Sequence, residues 1–168
     1  MTVIKHPDQR VGLLIDTQNM YHSAKNIYGA RLNFKEILKT AVSGRKLIRA
    51  IAYVIKTETG EEKGFFEALK NMGIETRVKD LQVFYGGLKK ADWDVGITVD
   101  AVKMASRLDV IVLVTGDGDF IPLVEYLKDH GIQVEVIGFA KSASSKLIEK
   151  SDEFIDLGES SKKYIIKK

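Results

Sequence analysis

The sequence contains no cysteine, which excludes disulfide bonds, thiolate zinc sites and a cysteine nucleophile together. It also contains no apolar run close to the about 20 residues that a membrane-spanning helix needs. The first ten residues are polar and lack the apolar stretch of a signal peptide. We therefore expect a cytoplasmic protein without a membrane partner. The three histidines do not share the spacing of metal ligands, and no persuasive Ser-His pair indicates covalent catalysis.

The chain of 168 residues fits one compact domain, with 45% hydrophobic and 29% charged residues, as is typical of globular proteins. Its formal net charge of +3 would say little about partners if it were evenly spread. Lysines crowd at Lys89-Lys90, Lys141, Lys146 and the C-terminal tail, although such runs are usually only solvated surface. No repeat, low-complexity segment or linker divides it. We expect an N-terminal extension over residues 1–10, one domain over 11–157 and a basic C-terminal tail over 158–168.

Apolar runs of strand length alternate with stretches of helical spacing, and this pattern predicts an α/β domain with a doubly wound, mostly parallel sheet. The predicted strands are 11–15, 47–55, 74–78, 110–114, 133–137 and 154–155. The predicted helices are a stretch from about 19 to 42, then 61–72, 93–107, the segment after 119 up to 130, and 144–150. The segment 81–90 is predicted to be a loop or a short irregular strand.

Aspartates follow two of these strands. Asp16 comes after the first strand, and Asp117 and Asp119 come after the strand 110–114. If these strands are neighbours, the three carboxylates meet beyond the carboxyl ends of the strands, where such sheets bind ligands. Asp94 begins the helix before the strand 110–114. We expect a crossover helix to begin at the opposite end of the sheet, so Asp94 reaches the rim only from a helix that starts high or lies across it.

Clustered carboxylates repel one another, and a divalent cation reverses this repulsion. Mg²⁺ and Mn²⁺ prefer hard oxygen ligands, so several aspartates with water and a substrate phosphate form a natural coordination set. Such a cation lowers the pKa of bound water and neutralises charge on the phosphate during hydrolysis. Gly116 and Gly118 would let the backbone turn tightly and approach a phosphate closely.

Each of these residues also has a structural interpretation. Asp16 or Asn19 could cap the first helix, and Asp119 could cap the helix that contains Pro122. Asp100 lies six positions beyond Asp94, hence on another face of the helix, where it either orients other groups or is exposed.

Two aromatic residues leave a similar choice open. Trp93 and Tyr85 could stack on unpaired bases, as aromatic side chains do in single-strand binding. Packing in the core or against a helix terminus explains them equally well.

Three segments resemble the motifs of NYN domains, most closely those of the LabA-like branch. The segment 14–19 (Leu-Ile-Asp-Thr-Gln-Asn) resembles their Asp-x-x-Asn motif, 90–101 their central Lys-x-x-Asp-Val…Asp-Ala segment, and 115–120 (Thr-Gly-Asp-Gly-Asp-Phe) their Ser/Thr-Gly-Asp-x-Asp-Phe signature. The resemblance covers about Arg10 to Asp156. It implies a PIN-like three-layer α/β/α sandwich that binds Mg²⁺ or Mn²⁺ and cleaves RNA.

On the matching positions the resemblance implies four metal ligands and one supporting amide. The ligands are Asp16, Asp94, Asp117 and Asp119, directly or through water, and Asn19 would hold a carboxylate or a water. We assign substrate binding to four further residues: Thr115, Lys89, Lys90 and Trp93. The central segment has one extra residue, so Asp92 competes with Asp94, and Thr115 replaces the commoner serine.

The sequence therefore predicts a metal-dependent endoribonuclease that acts on single-stranded or loop RNA. Two alternatives stay open: a catalytically inactive RNA-binding or regulatory module, and another Mg²⁺-dependent phosphohydrolase with an Asp-x-Asp turn. The haloacid-dehalogenase pattern fails, because Gln18 stands where a second aspartate is needed. Whether the protein forms a homodimer is open.

Overall fold

The computed structural model describes residues 3–57, 62–83, 89–90 and 92–167, with the backbone alone for 82–83 and 89–90. Ten strands and seven helices lie within these residues. In chain order they are β1 (Arg10–Asp16), α1 (Thr17–Tyr28), β2 (Arg31–Leu32), α2 (Phe34–Val42), β3 (Lys46–Lys56), α3 (Lys63–Asn71), β4 (Glu75–Asp80), β5 (Gln82–Val83), β6 (Lys89–Lys90), α4 (Asp94–Met104), β7 (Val110–Val114), α5 (Ile121–Asp129), β8 (Gln133–Gly138), α6 (Ser145–Lys150), β9 (Glu153–Asp156), α7 (Ser161–Tyr164) and β10 (Ile165–Ile166). Turns of 3₁₀ helix span Ala105–Arg107, Gly118–Phe120 and Leu157–Ser160.

Six strands form one parallel sheet in the order β4-β3-β1-β7-β8-β9. The predicted doubly wound sheet is therefore confirmed. The order reverses between β1 and β7, which are neighbours with Ile15 opposite Val114. This is the switch point at which ligands bind in such sheets, and β1 ends there at Asp16.

The sheet carries one buried layer on each face, because alternate residues of a strand point to opposite sides. Val11, Leu13 and Ile15 of β1 belong to one core with α1, α2, α3 and α7. Leu14 belongs to the other core, with α4, α5 and α6. The domain is thus a three-layer α/β/α sandwich. Within the described residues, no helix is both long and apolar enough to cross a membrane.

Helix α4 lies differently from the prediction. It leads into the parallel strand β7, so the chain must travel back from the carboxyl end of the sheet to the amino end along α4. A crossover helix therefore begins at the carboxyl end of the strands, and the expectation that it begins at the opposite end was wrong. Asp94 is the first residue of α4. It reaches the rim directly, without a helix that starts high or lies across the sheet.

Two local features escape the sequence pattern. The helical stretch predicted from 19 to 42 is two helices, because Gly29 adopts φ 61° and ends α1. The segment predicted as a tail contains α7 and β10, and β10 pairs antiparallel with β2. Tyr164 and Ile165 are buried there, only 5% and 7% exposed. The segment 158–167 therefore contributes Tyr164 and Ile165 to the core beside α2.

Candidate metal centre

Three aspartates from separate parts of the chain meet at the carboxyl rim of the sheet. Asp16 ends β1, Asp94 begins α4, and Asp117 lies in the loop after β7. Each offers a carboxylate oxygen, and these oxygens all lie within 4.8 Å of one another. The parallel arrangement of β1 and β7 causes the meeting, since both strands end at the same rim.

Asp16 is held by two hydrogen bonds. Its Oδ2 accepts one from the Thr115 hydroxyl at 3.0 Å, and its Oδ1 accepts one from the Asn19 backbone N–H at 3.4 Å. The second bond makes Asp16 the N-cap of α1. Asp16 therefore caps α1, and a carboxylate oxygen of the same residue lies within 4.8 Å of those of Asp94 and Asp117.

The loop from Thr115 to Asp119 is fixed in the same way. Asn19 Oδ1 accepts a hydrogen bond from the Gly116 N–H at 2.9 Å, and the Thr115 hydroxyl accepts one from the Asp117 N–H at 3.2 Å. Asp117 Oδ1 accepts one from the Asp119 N–H at 2.9 Å. Asn19 thus contacts the loop backbone, where a carboxylate or water had been expected. Thr115 is only 2% exposed, with its hydroxyl between Asp16 and Asp117.

The glycines of this loop also leave space for the turn before α6, and their predicted approach to a phosphate stays a prediction. A Cβ on Gly116 would lie 3.0 Å from Ala143 Cα, and one on Gly118 would lie 2.9 Å from Ser144 Oγ. Neither glycine has a positive φ. The two glycines allow the turn before α6 to pack directly on the loop that carries Asp117.

The electrostatics of the site are unfavourable without a counter-charge. Burial raises the pKa of Asp16 to about 6, although its hydrogen bonds act in the other direction. Burial also raises the pKa of Asp94 to about 7, followed by repulsion from Asp117 and Asp16. Both carboxyls therefore resist ionisation next to their neighbours.

The residues present fit a divalent cation. The donor set is made of hard carboxylate oxygens, which Mg²⁺ and Mn²⁺ prefer. The mutual repulsion is relieved by a positive charge between the oxygens, which include those of the two carboxyls with raised pKa values, Asp16 and Asp94. The arrangement of the three carboxylates can therefore hold a cation.

Other predicted site residues lie around this group. Asp119 is exposed and is outside the set of mutually close oxygens. Asp92, which had competed with Asp94, is also exposed and accepts a hydrogen bond from the Asp94 N–H at 3.1 Å, so it caps α4. The side chains of Lys89 and Lys90, and all of Tyr85, fall outside the described residues.

Trp93 packs against β3 beside the site. Its Nε1 donates to the carbonyl of Val54 at 2.9 Å, and its ring centroid lies 5.3 Å from that of Tyr53. A Cβ on Gly96 would approach the ring to 2.5 Å, and Lys79 Nζ lies 4.4 Å from the ring centroid. Trp93 therefore packs in the domain, as one of its two interpretations expected. Its contact with a substrate stays a prediction.

Sequence reasoning missed Tyr53 and Arg77. Both donate to Asp100 Oδ2, Tyr53 from its hydroxyl at 2.7 Å and Arg77 at 2.6 Å. Asp100 is 8% exposed, so of its two interpretations the exposed one is wrong. A signal for Tyr53 existed: it is the one hydroxyl-bearing residue in an apolar strand, and a buried tyrosine hydroxyl usually needs a partner.

The sheet order and the acidic rim together define an α/β domain of the PIN-like class. The NYN domain model matches residues 10–158, so the chain belongs to the NYN domain family, whose members are generally nucleases. Among curated relatives, it is 26% identical over 158 residues to the low amplitude and bright protein LabA of Synechococcus elongatus, covering 89% of this chain and 84% of LabA.

Two further relatives agree in fold or sequence. An uncharacterised protein of Methanocaldococcus jannaschii is 29% identical over 157 residues, which cover 90% of this chain but 57% of that protein. The crystal structure of a Vibrio parahaemolyticus protein of unknown function superposes with a TM-score of 0.87 and 28% identity, covering 98% of this chain and 100% of that one. The similarity thus spans almost the whole chain.

Proposed function

We propose that this protein is a metal-dependent ribonuclease that hydrolyses phosphodiester bonds of RNA. The observation that carries the proposal is the group of carboxylate oxygens from Asp16, Asp94 and Asp117 within 4.8 Å of one another. We assign these three residues as ligands of Mg²⁺ or Mn²⁺. Membership of the NYN family supports a nucleic acid as the substrate.

The residues around the ligands have distinct roles in this proposal. Thr115 and Asn19 hold Asp16 and the loop of Asp117 at a fixed separation through their hydrogen bonds. Asp119 is exposed beside the group and contacts the cation through water. When bound, the cation lowers the pKa of a coordinated water and neutralises charge that develops on the phosphate oxygens.

The substrate approaches the open rim of the sheet. We propose that it is single-stranded or loop RNA. The phosphodiester backbone of the substrate must reach carboxylates that lie beside α1 and α4, and an extended strand can do so. Lys89 and Lys90 precede α4 in sequence and are proposed to contact the phosphate backbone as cations. Such contacts make binding sensitive to salt.

The test is cleavage of an end-labelled RNA by the purified protein with Mn²⁺, with Mg²⁺ and with excess EDTA. We expect products only with metal. Asp117→Asn should reduce cleavage by at least about a hundredfold, since it removes one ligand and its charge. Asp129→Asn is the matched control: it removes the same charge from an exposed position at the far end of α5 and should cleave like the wild type.

The outcomes separate the open alternatives. Undiminished cleavage in EDTA, or by Asp117→Asn, contradicts the proposal. Salt-sensitive RNA binding without product after long incubation with Mn²⁺ identifies an inactive binding module instead. Hydrolysis of a small phosphate ester without cleavage of RNA identifies a phosphohydrolase of another kind.

A further inference from the structure

A row of polar side chains crosses the sheet at the level of the metal centre. The register places Arg77 of β4 opposite Tyr53 of β3, and Tyr53 opposite Asp16 of β1. Thr115, directly after β7, continues the row through its hydrogen bond to Asp16. Adjacent parallel strands lie about 4.8 Å apart, so Tyr53 is the immediate neighbour of a proposed metal ligand.

Helix α4 is attached to this row through Asp100. The Asp100 carboxylate is buried on the sheet side of the helix and accepts hydrogen bonds from Tyr53 and Arg77, both at Oδ2. Six residues of α-helix rise about 9 Å, so this attachment lies well below the N-terminus that carries Asp94. An ionised hydrogen-bond partner makes such bonds shorter and stronger than neutral ones.

A second attachment holds the beginning of the helix. Trp93, the residue before Asp94, donates from Nε1 to the Val54 carbonyl, and its ring packs on Tyr53. Gly96 leaves the space that the indole fills. Trp93 and Asp100 therefore fix α4 at two heights to adjacent residues of one strand, Tyr53 and Val54.

These attachments of α4 to the sheet are needed because the negative charges near the start of the helix repel one another. Asp94 faces Asp16 and Asp117, and ionised carboxylates at this separation push α4 away from the rim. The helix N-terminus itself has no side-chain cap from Trp93. The Asp92 carboxylate caps the Asp94 N–H, while the contacts of Trp93 and Asp100 with β3 attach the helix to the sheet.

We propose that Tyr53 and Asp100 are positioning residues for the metal centre: through their hydrogen bond they hold α4 in the one register on the sheet that brings Asp94 to Asp16 and Asp117. This inference rests on the proposed metal site. Neither residue touches the cation or the substrate. Arg77 supports the pair through its own 2.6 Å contact with the same Asp100 oxygen.

The test measures Mn²⁺ affinity of the metal-free protein by calorimetry, with the fluorescence of Trp93 as a second readout. The chain contains one tryptophan, so its emission reports on this site alone. Tyr53→Phe removes only the hydroxyl and should weaken Mn²⁺ binding by about tenfold, as loss of a supporting hydrogen bond does at metal sites. It should also shift the Trp93 emission.

Tyr164→Phe is the matched control. Tyr164 is also buried, and its hydroxyl shares a 2.6 Å hydrogen bond with Thr40 on the other face of the sheet. Both variants should lower the Tm by about 2–4 °C, because each loses one hydrogen bond. Only Tyr53→Phe should lose Mn²⁺ affinity. Asp100→Asn, which keeps an oxygen for Tyr53 but loses the charge, serves if Tyr53→Phe does not fold.

Equal Mn²⁺ affinities of the wild type, Tyr53→Phe and Asp100→Asn would overturn the positioning role while leaving the metal site intact. Equal losses in Tyr53→Phe and Tyr164→Phe would overturn it as well, because the effect would then follow stability alone. A wild-type protein that binds no Mn²⁺ removes the proposed function, and the positioning role with it.

Discussion

The Asp16 carboxylate accepts a hydrogen bond from the Thr115 hydroxyl at 3.0 Å, although the two residues lie 99 positions apart in the sequence. This contact joins the ends of β1 and β7 at the place where the strand order reverses. It orients one carboxylate oxygen and leaves the other to the N–H of Asn19. The proposed metal centre is built outward from this pair.

Stability without metal should rise as the pH falls from about 8 to about 5. The pKa of Asp16 is raised to about 6 and that of Asp94 to about 7, from 3.8, so the folded protein takes up protons in this window that the unfolded chain does not. The gain is complete below the unfolded pKa and is lost as the pH rises through the folded values. Glu75, whose pKa is lowered, acts oppositely only at lower pH.

The measurement is the Tm in EDTA across this pH range, for the wild type and for Asp94→Asn. The variant removes a carboxyl that resists ionisation, so it should have the higher Tm at about pH 8 and a flatter pH profile. With saturating Mn²⁺ the order should reverse, since only the wild type gains binding energy. A wild-type Tm that falls steadily from pH 8 to pH 5 in EDTA would refute this explanation.

Gly116→Ala should impair the site through packing. The added Cβ would lie 3.0 Å from the Cα of Ala143, and a backbone atom cannot move away cheaply. The loop must shift and carry Asp117 with it, so RNA cleavage should fall by about ten- to a hundredfold.

Gly64→Ala makes the same chemical change in α3, where no atom of the described residues lies within 4 Å of the added Cβ. It should raise the free energy of unfolding by about 0.5–1 kcal/mol and leave cleavage unchanged. Comparable cleavage by Gly116→Ala and Gly64→Ala would show that the tight packing of the loop is not required.

Tyr164→Ala tests whether the C-terminal segment belongs to the core. The ring is buried with α2 and its hydroxyl contacts Thr40, so truncation should lower the free energy of unfolding by about 3 kcal/mol. Lys167→Ala, an exposed position three residues further on, should change it by less than about 0.5 kcal/mol. If urea denaturation gave the same stability for Tyr164→Ala and the wild type, the C-terminal segment would not be part of the core.

The sequence alone predicted the parallel sheet and the meeting of Asp16 with Asp117, because buried parallel strands are continuous apolar runs and their carboxyl ends share a rim. It did not reveal Tyr53, Arg77 and Asp100 as a unit. Their contacts depend on the register between β3 and β4 and on the rotation of α4, which no local pattern specifies. The pairing of β2 with β10 was missed for another reason: strands of two residues are too short to show a periodic pattern in the sequence.

The most direct test of the central claim is the anomalous scattering of Mn²⁺ in crystals of the protein. We predict a peak between Asp16, Asp94 and Asp117, with a carboxylate oxygen of each bound directly to the ion. Crystals of Asp117→Asn grown in the same Mn²⁺ concentration should show a weaker peak or none. A fully loaded wild-type crystal without a peak at this position, or with the three side chains pointing away from one another, would contradict the account.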